Sequence, residues 1–171
     1  MTFMSPPRID LTCMLHDQAM NDSSAASPDP ESITAYIQEA YPETLIAIAL
    51  GATFFSLDEK HWPNFATIVT TDEHDEGSPS NLTTRPDVFR LNIGVSRPTF
   101  EGLVGSIGDP DYAALDRILP HPVYARQLWL SILNPSTETF ENVVKALLRE
   151  GHDRLAVTRA RRRGARQSPA R

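Results

Sequence analysis

Two polar side chains on one short segment carry the first chemical signal. In Val88–Val95 the types alternate: Phe89, Leu91, Ile93 and Val95 share one face of a strand, while Arg90 and Asn92 share the other. A fixed guanidinium beside a carboxamide suits a carboxylate or a phosphate. The same pair also fits a structural role, with Arg90 paired to a nearby acid and Asn92 satisfying loop backbone. A second cluster is His121 with Tyr124, Gln127 and Trp129. Pro120 and Pro122 flank His121 and restrain its backbone, so its imidazole is rigidly placed as a base, as a ligand or as a cap at a sheet edge. Trp129 fits either a packed core position or a stacking surface.

Other chemistry is thinner. Asp72-Glu73-His74-Asp75-Glu76 offers oxygens and one imidazole, but adjacent residues do not converge on an ion without a tight loop of defined spacing, and no EF-hand pattern exists. A solvated loop is the simpler reading, and no metal site is expected. No serine or cysteine lies in a nucleophile motif, so no catalytic residue is assigned. Gly102, Gly105 and Gly108 do not form a phosphate-loop fingerprint, and no cofactor is expected. Cys13 is the single cysteine and forms neither an internal disulfide nor a multi-thiolate zinc site. A reducing cytoplasm is the expected location, with no secretory leader and no apolar run of roughly 18 residues to span a membrane.

The elements that must position these residues follow from length and pattern. The 171 residues match one domain with one core. Residues 1–28 lack periodicity and are expected to be a disordered extension. Residues 158–171 have no apolar side chain larger than alanine and are expected to be a disordered Arg-rich tail, leaving a single domain over 29–157. Net charge is −6, from 16 basic and 22 acidic residues. Six of the arginines, among them Arg159, Arg161, Arg162, Arg163 and Arg166, lie in that tail, so the body is strongly acidic and repels nucleic acid. Only the tail offers weak, salt-dependent attraction for it.

Three helix starts pair an Asx residue with proline: Asp29-Pro30, Asp109-Pro110 and Asn134-Pro135. The first opens the stripe Ile33, Tyr36, Ile37, Ala40, stopped at Tyr41-Pro42. The second leads a short helix with Tyr112, Leu115, Ile118 and Leu119. The third leads Phe140, Val143, Val144, Leu147 and Leu148, with Gly151 as the stop. A further short helix follows Pro98 and ends at Gly105. Strands are expected over 44–50 and 53–57 around a Gly51-Ala52 turn, and over 65–70, 88–95 and 128–133. Hairpins early and helices late predict an α+β fold, a mainly antiparallel sheet with helices packed on one face.

Four segments carry a resemblance: Phe65–Asp72, Arg85–Val95, Leu119–Ala125 and Trp129–Ser136. Over about residues 31–155 they resemble a bacterial family catalogued only as domain of unknown function family 6194. More remotely the pattern is similar to MmcQ/YjbR-like proteins, which share a strand like Arg90–Ile93, a helix, a Trp-bearing strand and a C-terminal helix. That resemblance implies a compact fold akin to the frataxin-like CyaY proteins. It also brings a DNA-binding label, which an acidic body does not fit.

The residues together support a small non-catalytic binding or accessory domain, with a pocket or face around Arg90, Asn92, His121, Tyr124 and Trp129, and an unidentified ligand or protein as partner. Two other readings stand beside it. One is a nucleic-acid-binding protein acting through the tail. The other is a small enzyme using His121 as acid/base and Arg90 as an anion clamp.

Overall fold

The structure is a computed structural model and describes residues 27–73 and 78–167. The fold is α+β. Helix α1 (Pro30–Ala40) is followed by strands β1 (Leu45–Ala49), β2 (Ala52–Ser56), β3 (Asn64–Val69) and β4 (Arg90–Gly94). Helix α2 (Arg97–Val104) crosses to β5 (Leu119–Pro120) and β6 (Trp129–Leu133). A single-turn helix α3 (Thr137–Thr139) runs through a π-helical turn (Phe140–Val144) into α4 (Lys145–Gln167). The sheet has the order β1-β2-β3-β4-β6-β5, with every pairing antiparallel. No helix among the described residues is long and apolar enough to cross a membrane.

One face of the sheet is covered by helices, as the pattern predicts. Ile33 and Ile37 of α1 and Phe140, Val144, Leu147 and Leu148 of the C-terminal helix pack on Phe55, Ala66, Ile68, Leu91, Ile93, Leu130 and Ile132. Asp29 caps α1, its Oδ1 accepting from the Ser32 N–H at 2.8 Å, with Pro30 at the first helical position. Ser96 caps α2, and Glu150 ties it to α4. The carboxylate accepts from the Ser96 N–H at 2.7 Å and from the Thr99 hydroxyl at 2.8 Å.

The β1–β2 turn is Leu50-Gly51, one residue earlier than expected. Ala49 pairs with Ala52, and both turn residues have positive φ (48° and 71°), as a two-residue hairpin requires.

Three helix expectations fail, each for a visible reason. No helix forms after Asp109-Pro110. Arg85 Nη1 donates to the Ala113 carbonyl at 3.0 Å, Leu115 bridges Leu133, and Asp116, at φ 54°, accepts from the Ser136 N–H at 2.7 Å. These ties hold the segment in a run of turns instead of a helix. Asn134 is not a helix cap. Its Oδ1 accepts from the Phe89 N–H and its Nδ2 donates to the Asp87 carbonyl, both at 2.9 Å, so its amide pins the approach to β4 and Ser136 caps instead. Gly151 does not stop the helix. A Cβ there would sit 2.9 Å from the Gly94 carbonyl oxygen and 3.2 Å from that of Phe65, so this glycine lets α4 lie directly on the sheet.

The Arg-rich tail also departs from expectation. It was expected to be unstructured from residue 158, yet α4 continues to Gln167. Arginine and alanine are strong helix formers, and a helix already nucleated by packing extends cheaply. The expected N-terminal extension falls almost wholly outside the described residues, as do His74, Asp75 and Glu76 of the acidic loop.

The two roles of glycine in α4 are separable. Gly151→Ala is expected to destabilise by about 1–3 kcal/mol despite better helix propensity, because the sheet carbonyls leave no room. Gly164→Ala meets nothing within 4 Å and is expected to stabilise by about 0.5–1 kcal/mol. Urea denaturation of both variants checks this; a stabilised Gly151→Ala contradicts the close helix–sheet contact.

Candidate functional site

The second face of the sheet is built from cross-strand rows. Ala52, Val69, Arg90 and Leu133 form one row, and Phe54, Thr67, Asn92 and Ser131 the next. Leu82, on a short 3-10 turn, closes over the first row with Ala52, Val69 and Leu133 in a small apolar cluster.

Arg90 is 1 % exposed, the largest fully buried side chain among those described. Hydroxyls and an amide are among the groups that hold it. Its Nη1 donates to Ser78 Oγ at 2.9 Å and Ser80 Oγ at 3.0 Å, and its Nε donates to Asn92 Oδ1 at 3.0 Å. Asn92 Nδ2 then donates to Thr67 Oγ1 at 3.0 Å. The chain Ser78/Ser80–Arg90–Asn92–Thr67 thus fixes one amide orientation on the sheet floor.

Beside this floor lies a cavity of about 370 Å³. Phe54, Thr67, Val69 and Asn92 form its base. Trp129 forms one wall, over Gly94, where an added Cβ would touch the indole at 3.4 Å. The turn after β5 supplies His121, Tyr124 and Gln127, the β2–β3 loop supplies Trp62, and the first residue of β3 supplies Asn64. Of the five expected site residues, Asn92, His121, Tyr124 and Trp129 line this cavity together. Arg90 does not; it lies behind Asn92.

His121 is 2 % exposed. Its Nδ1 accepts from the backbone N–H groups of Val123 and Tyr124, both at 3.1 Å, so the ring caps its own turn and carries its proton on Nε2. Burial first, and the Arg90 charge second, push its pKa down to about 3. The ring is therefore neutral at physiological pH. Its backbone N–H donates to the Trp129 carbonyl at 2.9 Å, which places it at the sheet edge, and its ring lies 4.9 Å from that of Tyr124.

Phe54, Trp62, Asn64 and Thr67 were missed as site residues. Thr67 and Phe54 are found only once register places them beside Asn92. Asn64 is hidden by a β-bulge. Phe55 pairs with Ala66 but Ser56 pairs with Asn64, so Phe65 is the extra residue. The bulge sends Phe65 into the helix-side core and turns Asn64 to the cavity face. Asn64 Oδ1 is buried there with no hydrogen-bond partner. Among the described residues no group of three His, Cys, Asp or Glu is placed to hold a metal ion.

The neutral buried imidazole has a pH consequence. Its folded pKa lies below the ordinary histidine value of 6.5, so the unfolded chain takes up the proton first as pH falls. This stability is fully present above about pH 6.5 and is lost progressively toward about pH 3. His121→Asn, which keeps an acceptor for the two N–H groups, is expected to lose about 1–2 kcal/mol less than the parent between about pH 6.5 and pH 5, where carboxylates titrate little. Parallel slopes in urea melts across that window contradict a neutral buried ring.

No curated protein and no solved structure matches this chain. A family model described as a family of unknown function does match, over residues 28–165, which takes in the whole sheet, the cavity and most of α4. The chain belongs to that family, DUF6194.

Proposed function

We propose that this protein is a non-catalytic binding domain whose site is the cavity on the open face of the sheet, and that it takes a small, uncharged, ring-bearing molecule. The observation that carries the reading is the lining. Four aromatic side chains, Phe54, Trp62, Tyr124 and Trp129, surround a floor of neutral polar groups, and no charged residue lines the cavity. Such a mixture, mostly apolar with a few placed polar atoms, is the usual composition of a small-molecule site. The orphaned Asn64 Oδ1 favours a ligand that presents an N–H or O–H.

The same geometry weighs against acid/base catalysis by His121. The nitrogen that would accept a proton, Nδ1, already serves two backbone donors. Arg90 is committed to Ser78, Ser80 and Asn92 and is not part of the lining. The remote similarity to MmcQ/YjbR-like proteins belongs to this proposal too. It is supported by the order strand β4, helix α2, Trp-bearing strand β6, C-terminal helix. A bacterial, cytoplasmic setting is part of the same reading, supported by the single cysteine.

Both tryptophans of the chain line the cavity, so intrinsic fluorescence reports its occupancy. A screen of neutral one- and two-ring heteroaromatic fragments is expected to yield binders that shift the emission and stabilise the fold, by about 2.7 kcal/mol at a hundredfold excess over Kd. Tyr124→Ala, at the exposed mouth, is expected to weaken them roughly tenfold without unfolding the domain. The reading fails if no fragment shifts the emission, or if every binder is indifferent to Tyr124→Ala and Asn64→Leu.

A further inference from the structure

A second cavity lies away from the first, between the C-terminal half of α4 and the β2–β3 loop, with a volume of about 340 Å³. Its floor is apolar, from Leu57, Pro63 and Leu155, and its walls carry charge. Lys60, Arg159, Arg162 and Arg163 face it, against Asp58 and Glu59. Helical spacing explains the arginines, since residues three and four apart share a face, which puts Arg162 and Arg163 beside Arg159. Arg161 falls on a different face and lines a separate hollow with Arg154. The helix that the sequence did not predict is thus what gathers three of the tail arginines on one side.

Arg159 is the informative member. Its Nε is buried and has no hydrogen-bond partner. A buried guanidinium N–H left unpaired costs free energy that an incoming acceptor recovers. Glu43 does not supply that acceptor. Its carboxyl is held below the usual range first by its own backbone N–H, then by His152, and only last by Arg159.

From this arrangement we infer that the cavity between α4 and the β2–β3 loop binds the phosphate group of a small phosphorylated molecule, with Arg159, Arg162, Arg163 and Lys60 as its donors. Guanidinium forks match phosphate oxygens in geometry as well as charge. The apolar floor takes the body of the ligand. A small anion is favoured over a nucleic-acid backbone for two reasons. The site is concave, and a net charge of −6 repels a long polyanion that runs beyond the site far more than a single phosphate group held inside it.

Pyrophosphate is the probe, titrated into the full chain by calorimetry at low salt. One-to-one saturable binding is expected. Arg159→Gln should weaken it at least tenfold, and so should Arg162→Gln, whose exposed side chain can be changed without disturbing the fold. Arg161→Gln should leave it within twofold. Absence of saturable binding at millimolar pyrophosphate overturns the inference. So does duplex DNA binding more tightly than pyrophosphate and weakening equally in Arg159→Gln, Arg162→Gln and Arg161→Gln, which marks a diffuse polycationic surface instead of a site.

Discussion

The burial of Arg90 in the middle of the sheet constrains much of the rest. A guanidinium cannot be left there without partners, because the unpaired charge would cost more than a small domain can spare. Its partners include Ser78 and Ser80, from the segment before the 3-10 turn, and Asn92 from the same strand. Bringing that segment down onto the sheet also brings Leu82, which seals one half of the face. The other half stays open, and that open half is the cavity. Asn92 spends its carbonyl on Arg90 and its amino group on Thr67, so the floor is rigid before any ligand arrives. Arg90 also reaches His121 through space, adding to the burial that keeps that ring neutral.

A second constraint is how close the helices come on the other face. Gly151 brings α4 within contact distance of the carbonyls of Gly94 and Phe65. The bulge in β3 supplies the ring that fills the adjoining space, since Phe65 meets Tyr41 and His152 edge-on at 6.1 Å and 5.5 Å. One inserted residue therefore does two things. It thickens the core beneath α4, and it reverses Asn64 so that its amide is offered to the cavity on the opposite face.

Much of this was legible in the sequence, and the failures have common causes. The α+β class, the antiparallel sheet and the strand alternation around Arg90 and Asn92 follow from period-two and period-3.6 patterns. Of the named residues, Asn92, His121, Tyr124 and Trp129 share one cavity because each sits on a strand or a proline-braced turn whose geometry is local. What could not be read was long-range. Asn134 looked like a helix cap until Phe89 and Asp87 claimed its amide, and Asp109-Pro110 looked like a helix start until Arg85 and Leu133 held the following segment in turns. Gly151 looked like a stop because its partner was a sheet surface that the one-dimensional pattern does not contain. Thr67 and Asn64 depend on register and on a bulge, and neither leaves a composition signal.

The Arg-rich segment shows the same lesson from the other side. Judged by what it can bury, it has no reason to fold; judged as the continuation of a helix anchored by Val144, Leu147 and Leu148, it needs only propensity to propagate. Once helical, it turns a run of charges into faces with different neighbours. The β2–β3 loop then serves both hollows it borders. It gives Trp62 to the uncharged cavity, and Asp58, Glu59 and Lys60 to the cationic one. Because the first is lined by rings and neutral amides and the second by guanidinium groups, a molecule suited to one is poorly suited to the other. Electrostatics thus divides the surface into two chemistries that a single loop keeps apart.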